Sequence, residues 1–529
     1  MPPLRTALAL ATLTYATLVP AATWIVDSGS DSTLSACEPA VAADCSLRGA
    51  LTRANALNDG DTIEFAIPAE DASHVPETGH WRIVAASDLP LITAPLVIDG
   101  FTQPGAAPNA NPPGAGIAHT LKIELRGPNL STDGLSAFAP TTVRGLALNN
   151  WRRAIFHFNL GPNIVEGNYI GTDVTGLLAR PNVTGVTIGG DVRIGGLDPA
   201  QGNVIAANRD YGLSNQAQLT SVRIQGNIIG ASADLGSVPG RQDFGMYLLD
   251  PRDAMIGGVT PAEGNAMAGN GFSAISISAS TFQNVDGTPH VRIQGNRFGI
   301  GLDGRPLGNG HASSFPTILI SLGGYCRAVV GGMAPGESNL IAHGRGAGIA
   351  IGSCWNAHIN GNRFHGNRGI PIDLAGSNAF DGPTANDAAD ADAGGSNPVT
   401  AAGGNRLQNV PTVTLPPGLL PGGGDDVTID YVLDSLPGNS TYPITVQFHR
   451  AACGGGSAEL LAEAEIDEIN AQQPLQQVLS VGGNVLPLTV TATDALGNTS
   501  EFGPVFGETL FVDGLEEDPA AFGVGNCNG

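Results

Sequence analysis

The chain has 529 residues, with 48 acids against 24 bases and a net charge of −24. No basic surface is available to neutralise phosphates, which excludes nucleic-acid binding. Its 74 glycines lack the three-residue period of collagen, and a hydrophobic content of 42% excludes wholesale disorder, so many tight turns between short strands remain.

Residues 1–22 are expected to be a secretory signal. Arg5 gives the positive start, Thr6 to Val19 the apolar run, and Pro20-Ala21-Ala22 the small-residue exit. No later run is long and apolar enough to span a bilayer. Six cysteines suit an oxidising compartment and fall into Cys37 with Cys45, Cys326 with Cys354 and Cys453 with Cys527.

Residues 23–81 read as an N-terminal strand and cap. Leu47, Ala50, Leu51, Ala54 and Leu57 share one helical face, and Asp44 or Ser46 can cap that helix. An amphipathic helix there is a lid for the open end of a stacked β-structure.

Residues 82–380 carry the repeat. Val-Arg-Ile-Gln-Gly-Asn occurs from Val222 and again from Val291, with a worn copy at His358 to Asn362. Asn168, Asn227, Asn296 and Asn362 head one set of phrases; Asn203, Asn265 and Asn339 head another. Ile194-Gly195-Gly196, Ile256-Gly257-Gly258 and Val330-Gly331-Gly332 recur in step. Short β-branched strands ending in Gly-Asn predict a parallel β-helix with Val, Ile, Leu, Ala and Phe inside and asparagines stacked at a turn. The period of about 60 to 70 residues reads as three coils of 20-odd residues each. Equivalent copies then lie roughly 14 Å apart.

Residues 381–409 are an Asp/Gly-rich linker. Residues 410–507 alternate cleanly at Val427 to Val432, Ile444 to Phe448 and Leu488 to Thr493, as in an Ig-like β-sandwich. Residues 508–529 are a tail. The fold class is thus all-β: a β-helix with an N-terminal cap helix and a C-terminal β-sandwich.

Candidate chemistry is sparse. Asp173, Asp234 and Asp303 occupy corresponding turns, too far apart on the three-coil reading for a hydrolase pair. Arg223, Arg292 and His358 form an outward column, the residue types a lyase base needs, with the same separation. Asp387, Asp390 and Asp392 alternate before Gly394, like the start of a calcium loop. The alternative is a solvated acidic linker. Of the aromatics Trp151, Tyr169, Tyr211, Tyr247, Tyr325 and Trp355, the indoles Trp151 and Trp355 offer the largest faces for stacking a sugar. Cys326 and Cys354 stand equally far before successive strands, which predicts a bridge between stacked coils and sets Arg327 against Trp355.

Cys45-Ser46-Leu47-Arg48-Gly49-Ala50-Leu51 resembles the Cys-Ser-Leu-Arg-Glu-Ala-Ile signature of secreted bacterial β-helix proteins. Asp61 to Phe65, Ile98 to Gly105, Gly167 to Asp173, Asn386-Asp387 through Leu407 to Pro411, and Ala492 to Phe502 are similar to segments of the same family, covering nearly all of the mature chain. Gly49 stands where that signature has Glu. The resemblance implies a right-handed parallel β-helix of the pectin-lyase type and export to the medium or cell surface. It supplies no catalytic residue. The expected function is structural, adhesive or glycan-binding, on an extracellular polysaccharide or the cell envelope, as a monomer, with no cofactor except calcium if the acidic loop holds it. The alternative is a polysaccharide lyase or glycoside hydrolase.

Overall fold

A computed structural model describes residues 21–56, 60–158, 161–282, 290–325, 327–352, 354–375, 382–394, 403–415, 426–451, 457–480 and 487–506. Most of the signal segment, Cys326, Cys453, Cys527 and the 508–529 tail therefore lie outside the described residues. The described residues are all-β apart from one α-helix and short 3-10 turns. They form a 19-stranded sheet, an 11-stranded sheet and two antiparallel three-stranded sheets.

Every pairing in the 19-stranded sheet is parallel, between strands far apart in sequence, so the chain returns to the same place layer after layer. One buried column runs Ile63, Ile98, Val143, Val165, Ile194, Ile224, Ile256, Ile293, Val330, Ile359. All ten are β-branched, the shape that packs best on a pleated face. A second column runs from Leu135 through Ile155, Val186, Leu213, Met246, Ile275, Ile318 and Ile349 to Ile372. The 11-stranded sheet supplies a third, from Leu125 and Leu148 up to Ile341 and Phe364. The three columns meet in one continuous core.

The stack begins earlier than the boundary at residue 82. Thr23–Val26 pairs with Asp61–Phe65, which pairs with Leu96–Asp99, so the cap region already forms layers. The helix Leu47–Ala54 buries Leu47, Ala50, Leu51 and Ala54 against them. Ser46 is its N-cap, accepting from the Gly49 N–H at 3.0 Å, and the Cys37–Cys45 disulfide ties the entering loop. A Cβ at Gly49 would lie 1.7 Å from the Leu34 carbonyl oxygen, so the loop folded over the helix excludes the signature's Glu.

The repeated asparagines form one ladder, not two. Asn168, Asn203, Asn227, Asn265, Asn296, Asn339 and Asn362 stack so that each Nδ2 donates to the next Oδ1, at 2.9 to 3.2 Å. Successive members are 35, 24, 38, 31, 43 and 23 residues apart. The repeat therefore spans two layers, one long and one short, and the three-coil expectation is corrected to two. A second ladder, Asn182, Asn208, Gln242, Asn270 and Asn309, runs along another corner at 2.9 to 3.0 Å. The Ile-Gly-Gly phrases also acquire a cause. Gly195, Gly257 and Gly331 have φ between 79 and 84°, and a Cβ there would lie 2.0 to 2.2 Å from a carbonyl oxygen of the next layer.

The two antiparallel sheets, Thr412–Thr414 with Val427–Val432 and Leu475–Leu479, and Ser457–Ile466 with Ile444–Ala451 and Leu488–Thr493, enclose a separate core around Ile429, Ile444, Val446, Phe448 and Val490. This unit finishes the stack. Backbone N–H groups of the last layers donate to its side chains: Asn356 to Asn498 Oδ1 at 2.8 Å, Ile359 to Thr499 Oγ1 at 3.1 Å and Leu374 to Glu501 Oε1 at 2.9 Å. Asn405 adds a two-way bond to the Ala357 backbone, 2.8 Å each way. Donors that a free edge would expose are thus satisfied, and the unit is a lid rather than a module on a string.

Candidate functional site

The outer face of the long parallel sheet carries an aromatic row. Tyr211 and Phe244 are register partners in adjacent layers, with rings stacked at 5.6 Å and 18°. Tyr247 follows Phe244 by three residues and closes a triangle, 5.6 Å from Tyr211 and 5.8 Å from Phe244. Phe272 in the next layer lies 5.2 Å from Phe244, and Phe315 in the layer after that lies 5.3 Å from Phe272. Register puts them there: Met246 pairs with Ile275 and Ile275 with Ile318, which sets the residues just before each strand one above another. All five rings are half-buried.

The surroundings are polar. Thr187, Ser214 and Ser276 share the outward column of Tyr247. Arg241 engages Asp243 through two hydrogen bonds of 2.7 and 2.8 Å at the edge of the row. Burial, helped by nearby Asp210, pushes the Tyr211 phenol above its ordinary pKa, so it stays protonated at neutral pH. The Tyr211 and Tyr247 hydroxyls make no hydrogen bond among the described residues. Further down the same face, Phe138 and Phe158 are 45% and 58% exposed with rings 5.1 Å apart. A line of flat apolar faces flanked by hydroxyls suits ligands that are themselves flat, apolar on one side and hydroxylated at the edge.

The other candidates fall elsewhere. Trp151 and Trp355 are 0% and 1% exposed, which corrects their assignment as stacking platforms. The Trp151 indole packs in the core and donates to the Leu125 carbonyl at 3.1 Å. Trp355 lies under the Arg406 guanidinium at 4.3 Å; Tyr325, not Arg327, is its register partner. Tyr169 is buried and accepts from the His119 N–H at 2.9 Å. Cys354 is disulfide-bonded, and its expected partner Cys326 lies outside the described residues.

Within the acidic run, Asp390 is enclosed by the protein rather than open to solvent. Asp390 is 0% exposed, and both its oxygens are engaged by protein donors. Gln408 Nε2 donates at 2.8 Å, the Asn409 N–H at 3.0 Å, and the Ser435 and Ser440 hydroxyls also donate. Burial raises its pKa, and these donors pull it back. Asp387 accepts from the Ala391 N–H at 3.1 Å, and the Asp392 side chain lies outside the described residues. Among the described residues no group of three His, Cys, Asp or Glu is placed to hold a metal. Asp390 instead pins the expected linker to the lid.

Asp173, Asp234 and Asp303 each organise their own turn, Asp303 by pairing with Arg305 at 2.7 Å. Arg223 and Arg292 are separated by Met255 alone, two layers rather than three, and Val329 separates Arg292 from His358. Arg223 is paired with Asp253 at 2.8 Å. Among the described residues no helix is long and apolar enough to cross a membrane.

No family model matches the chain, and no curated protein matches it. Among solved structures, ORF18 of Geobacillus virus E2 aligns over 91% of this chain and 75% of its own, at 10% identity and a TM-score of 0.21. A likeness that loose carries no argument.

Proposed function

We propose that this protein is an exported, glycan-binding rod: a right-handed parallel β-helix that holds a polysaccharide on the aromatic row without cleaving it. The row of Tyr211, Phe244, Tyr247, Phe272 and Phe315 carries the reading. Half-exposed rings in four successive layers are an unusual surface for a soluble protein to keep, and their spacing along the rod repeats at about the layer distance of 4.8 Å. The ion-paired, hydroxyl-rich surroundings favour a neutral polymer over a uronate-rich one, which an acidic protein repels. A series of shallow contacts along a stiff rod gains affinity by multivalency rather than from any one pocket. The Cys37–Cys45 disulfide supports an oxidising compartment.

Affinity electrophoresis against neutral and uronic polysaccharides, with reducing-sugar and unsaturated-product assays alongside, tests this. Retardation by a neutral glycan that is lost in the Phe244→Ala/Tyr247→Ala variant, with no product released, is expected. Binding that survives the double change overturns the site. Product release above a heat-treated control overturns the non-catalytic reading and returns the lyase or hydrolase alternative.

A further inference from the structure

The outer face of the 11-stranded sheet carries an apolar column. Register sets Ala147, Tyr169, Val204 and Ile228 one above another, and all four are at most 4% exposed. Their strand neighbours Leu148, Ile170, Ile205 and Ile229 fill the rod core, so this column points away from it. Two layers further the same column reads Arg297, as an outward position should. A single loop, residues 107–120, accounts for the difference. Ala107 and Thr120 close its base with two backbone bonds of 3.0 and 2.8 Å. Ile117 packs in one cluster with Tyr169, Val204 and Ile228, and its N–H donates to the Ala233 carbonyl at 2.8 Å.

His119 fastens this loop to the rod. Its Nδ1 accepts from the Asn109 N–H across the loop at 2.8 Å, and its Nε2 meets the Gly202 carbonyl at 2.8 Å. A backbone N–H can only donate and a carbonyl can only accept. The proton therefore sits on Nε2 and the lone pair on Nδ1. A second proton on Nδ1 would face the Asn109 N–H, donor against donor. The Asn109 side chain depends on the same geometry. Its Oδ1 accepts from the Asn111 and Ala118 N–H groups at 3.1 and 3.0 Å, and its Nδ2 donates to the Pro199 carbonyl at 3.1 Å. Two of the loop's ties to the rod, at Gly202 and Pro199, thus rest on one neutral imidazole.

The surroundings of that ring do not stabilise its charged form. It lies against the Phe101 ring at 5.4 Å and the Tyr169 ring at 5.6 Å. Burial, helped by Asp173, raises the Tyr169 phenol and keeps it protonated. Acids on the neighbouring elements are engaged elsewhere: Asp99 with Arg144, Asp198 with the Ala200 N–H and Asp234 with the Ser232 hydroxyl. Lys122, just past the loop, donates to the Gly79 carbonyl. Burial holds the His119 pKa down to about 4, against about 6.5 for an open imidazole.

We propose that His119 is an acid-operated latch: its protonation releases loop 107–120 from the rod and uncovers the apolar column beneath. The open loop takes up a proton more readily than the closed one, so acid favours opening and closure returns as pH rises. With those two pKa values the opening equilibrium shifts about 30-fold between about pH 7.5 and about pH 5.

Hydrogen exchange of the whole protein at these two pH values, corrected for intrinsic rates, tests it. The Asn109, Ile117 and His119 amides should lose protection about 30-fold. The Val204 and Ile228 amides, bonded to the neighbouring layer, should keep theirs, and binding of an apolar dye should rise with the loop's opening. His119→Asn retains an acceptor near the Nδ1 position and His119→Gln a donor near Nε2. Neither titrates, so neither should show the acid-dependent drop, whereas His157→Phe should show it in full. Loop protection equal at both pH values, or a drop that persists in both His119 variants, overturns the latch. A loss shared equally by Val204 and Ile228 overturns it in favour of general acid unfolding. Dye binding that stays flat while the loop opens overturns the uncovering of the column.

Discussion

Replacing Asn227 by Ala should be among the most damaging single changes in the rod. Asn227 is 1% exposed and sits mid-ladder. Its Oδ1 accepts from the Asn203 N–H at 3.1 Å and from Asn203 Nδ2 at 2.9 Å. Its own Nδ2 reaches the Ile194 and Gln225 carbonyls at 2.9 Å and Asn265 Oδ1 at 3.0 Å. Truncation orphans the buried Asn203 N–H outright, while Asn203 Nδ2 keeps the Val165 carbonyl at 2.8 Å. One orphaned donor costs about 1–3 kcal/mol, and the lost bonds with the small void bring the total to about 3–5 kcal/mol. Urea unfolding followed by the fluorescence of buried Trp151 and Trp355 measures this, with exposed Gln473→Ala as the reference. Asn227→Asp sharpens the test. It keeps the acceptor for Asn203 but turns a carboxylate toward three oxygens, so it should be worse than Ala at neutral pH and recover on acidification. A loss under about 1 kcal/mol for Asn227→Ala would refute the argument that the ladder holds the layers in register.

The remaining expectations are briefer. His119, His157 and His449 are buried with pKa values lowered by desolvation to about 4, so the folded state keeps them neutral while the unfolded chain takes up protons below pH about 6.5. Stability should fall as pH drops from about 6.5 to 4, by up to about 3 kcal/mol for each, and His157→Phe should flatten that slope; a stability flat across this window contradicts it. Glu501 takes the Leu374 N–H at 2.9 Å and the Thr384 N–H at 2.8 Å, so Glu501→Ala should loosen the lid by a few kcal/mol, seen as faster amide exchange at Leu374 with the N-terminal layers unchanged. Exchange that rises equally along the rod would argue against a local role.

What the sequence made legible was whatever recurs in one local phrase. The Gly-Asn motif gave away the stacking because every layer needs the same turn. The layer count misled because long and short layers alternate, as the 35- and 24-residue steps from Asn168 show, and a fixed period cannot reveal that. The second ladder stayed hidden because Gln242 interrupts its asparagines and because Asn182 and Asn208 lack the glycine that precedes Asn270 and Asn309. Tyr211 and Tyr247 were visible as aromatics, but Phe244, Phe272 and Phe315 join them only through register across loops of unequal length. Asp390 shows the converse: a spaced acidic pattern serves a buried anchor as well as a cation loop, and only its four protein donors separate the two.

The closure of both ends of the stack has a consequence for how such a rod changes size. The helix Leu47–Ala54 covers one end and Asn405, Asn498, Thr499 and Glu501 satisfy backbone groups at the other, so both ends of the stack are capped by the chain itself. Growth is confined to the middle, in whole long-and-short pairs, because a single inserted layer breaks the alternation that the two amide ladders share. Each inserted pair adds about 10 Å of rod. Reach can therefore be reset by duplicating an internal segment, with both seals left as they are.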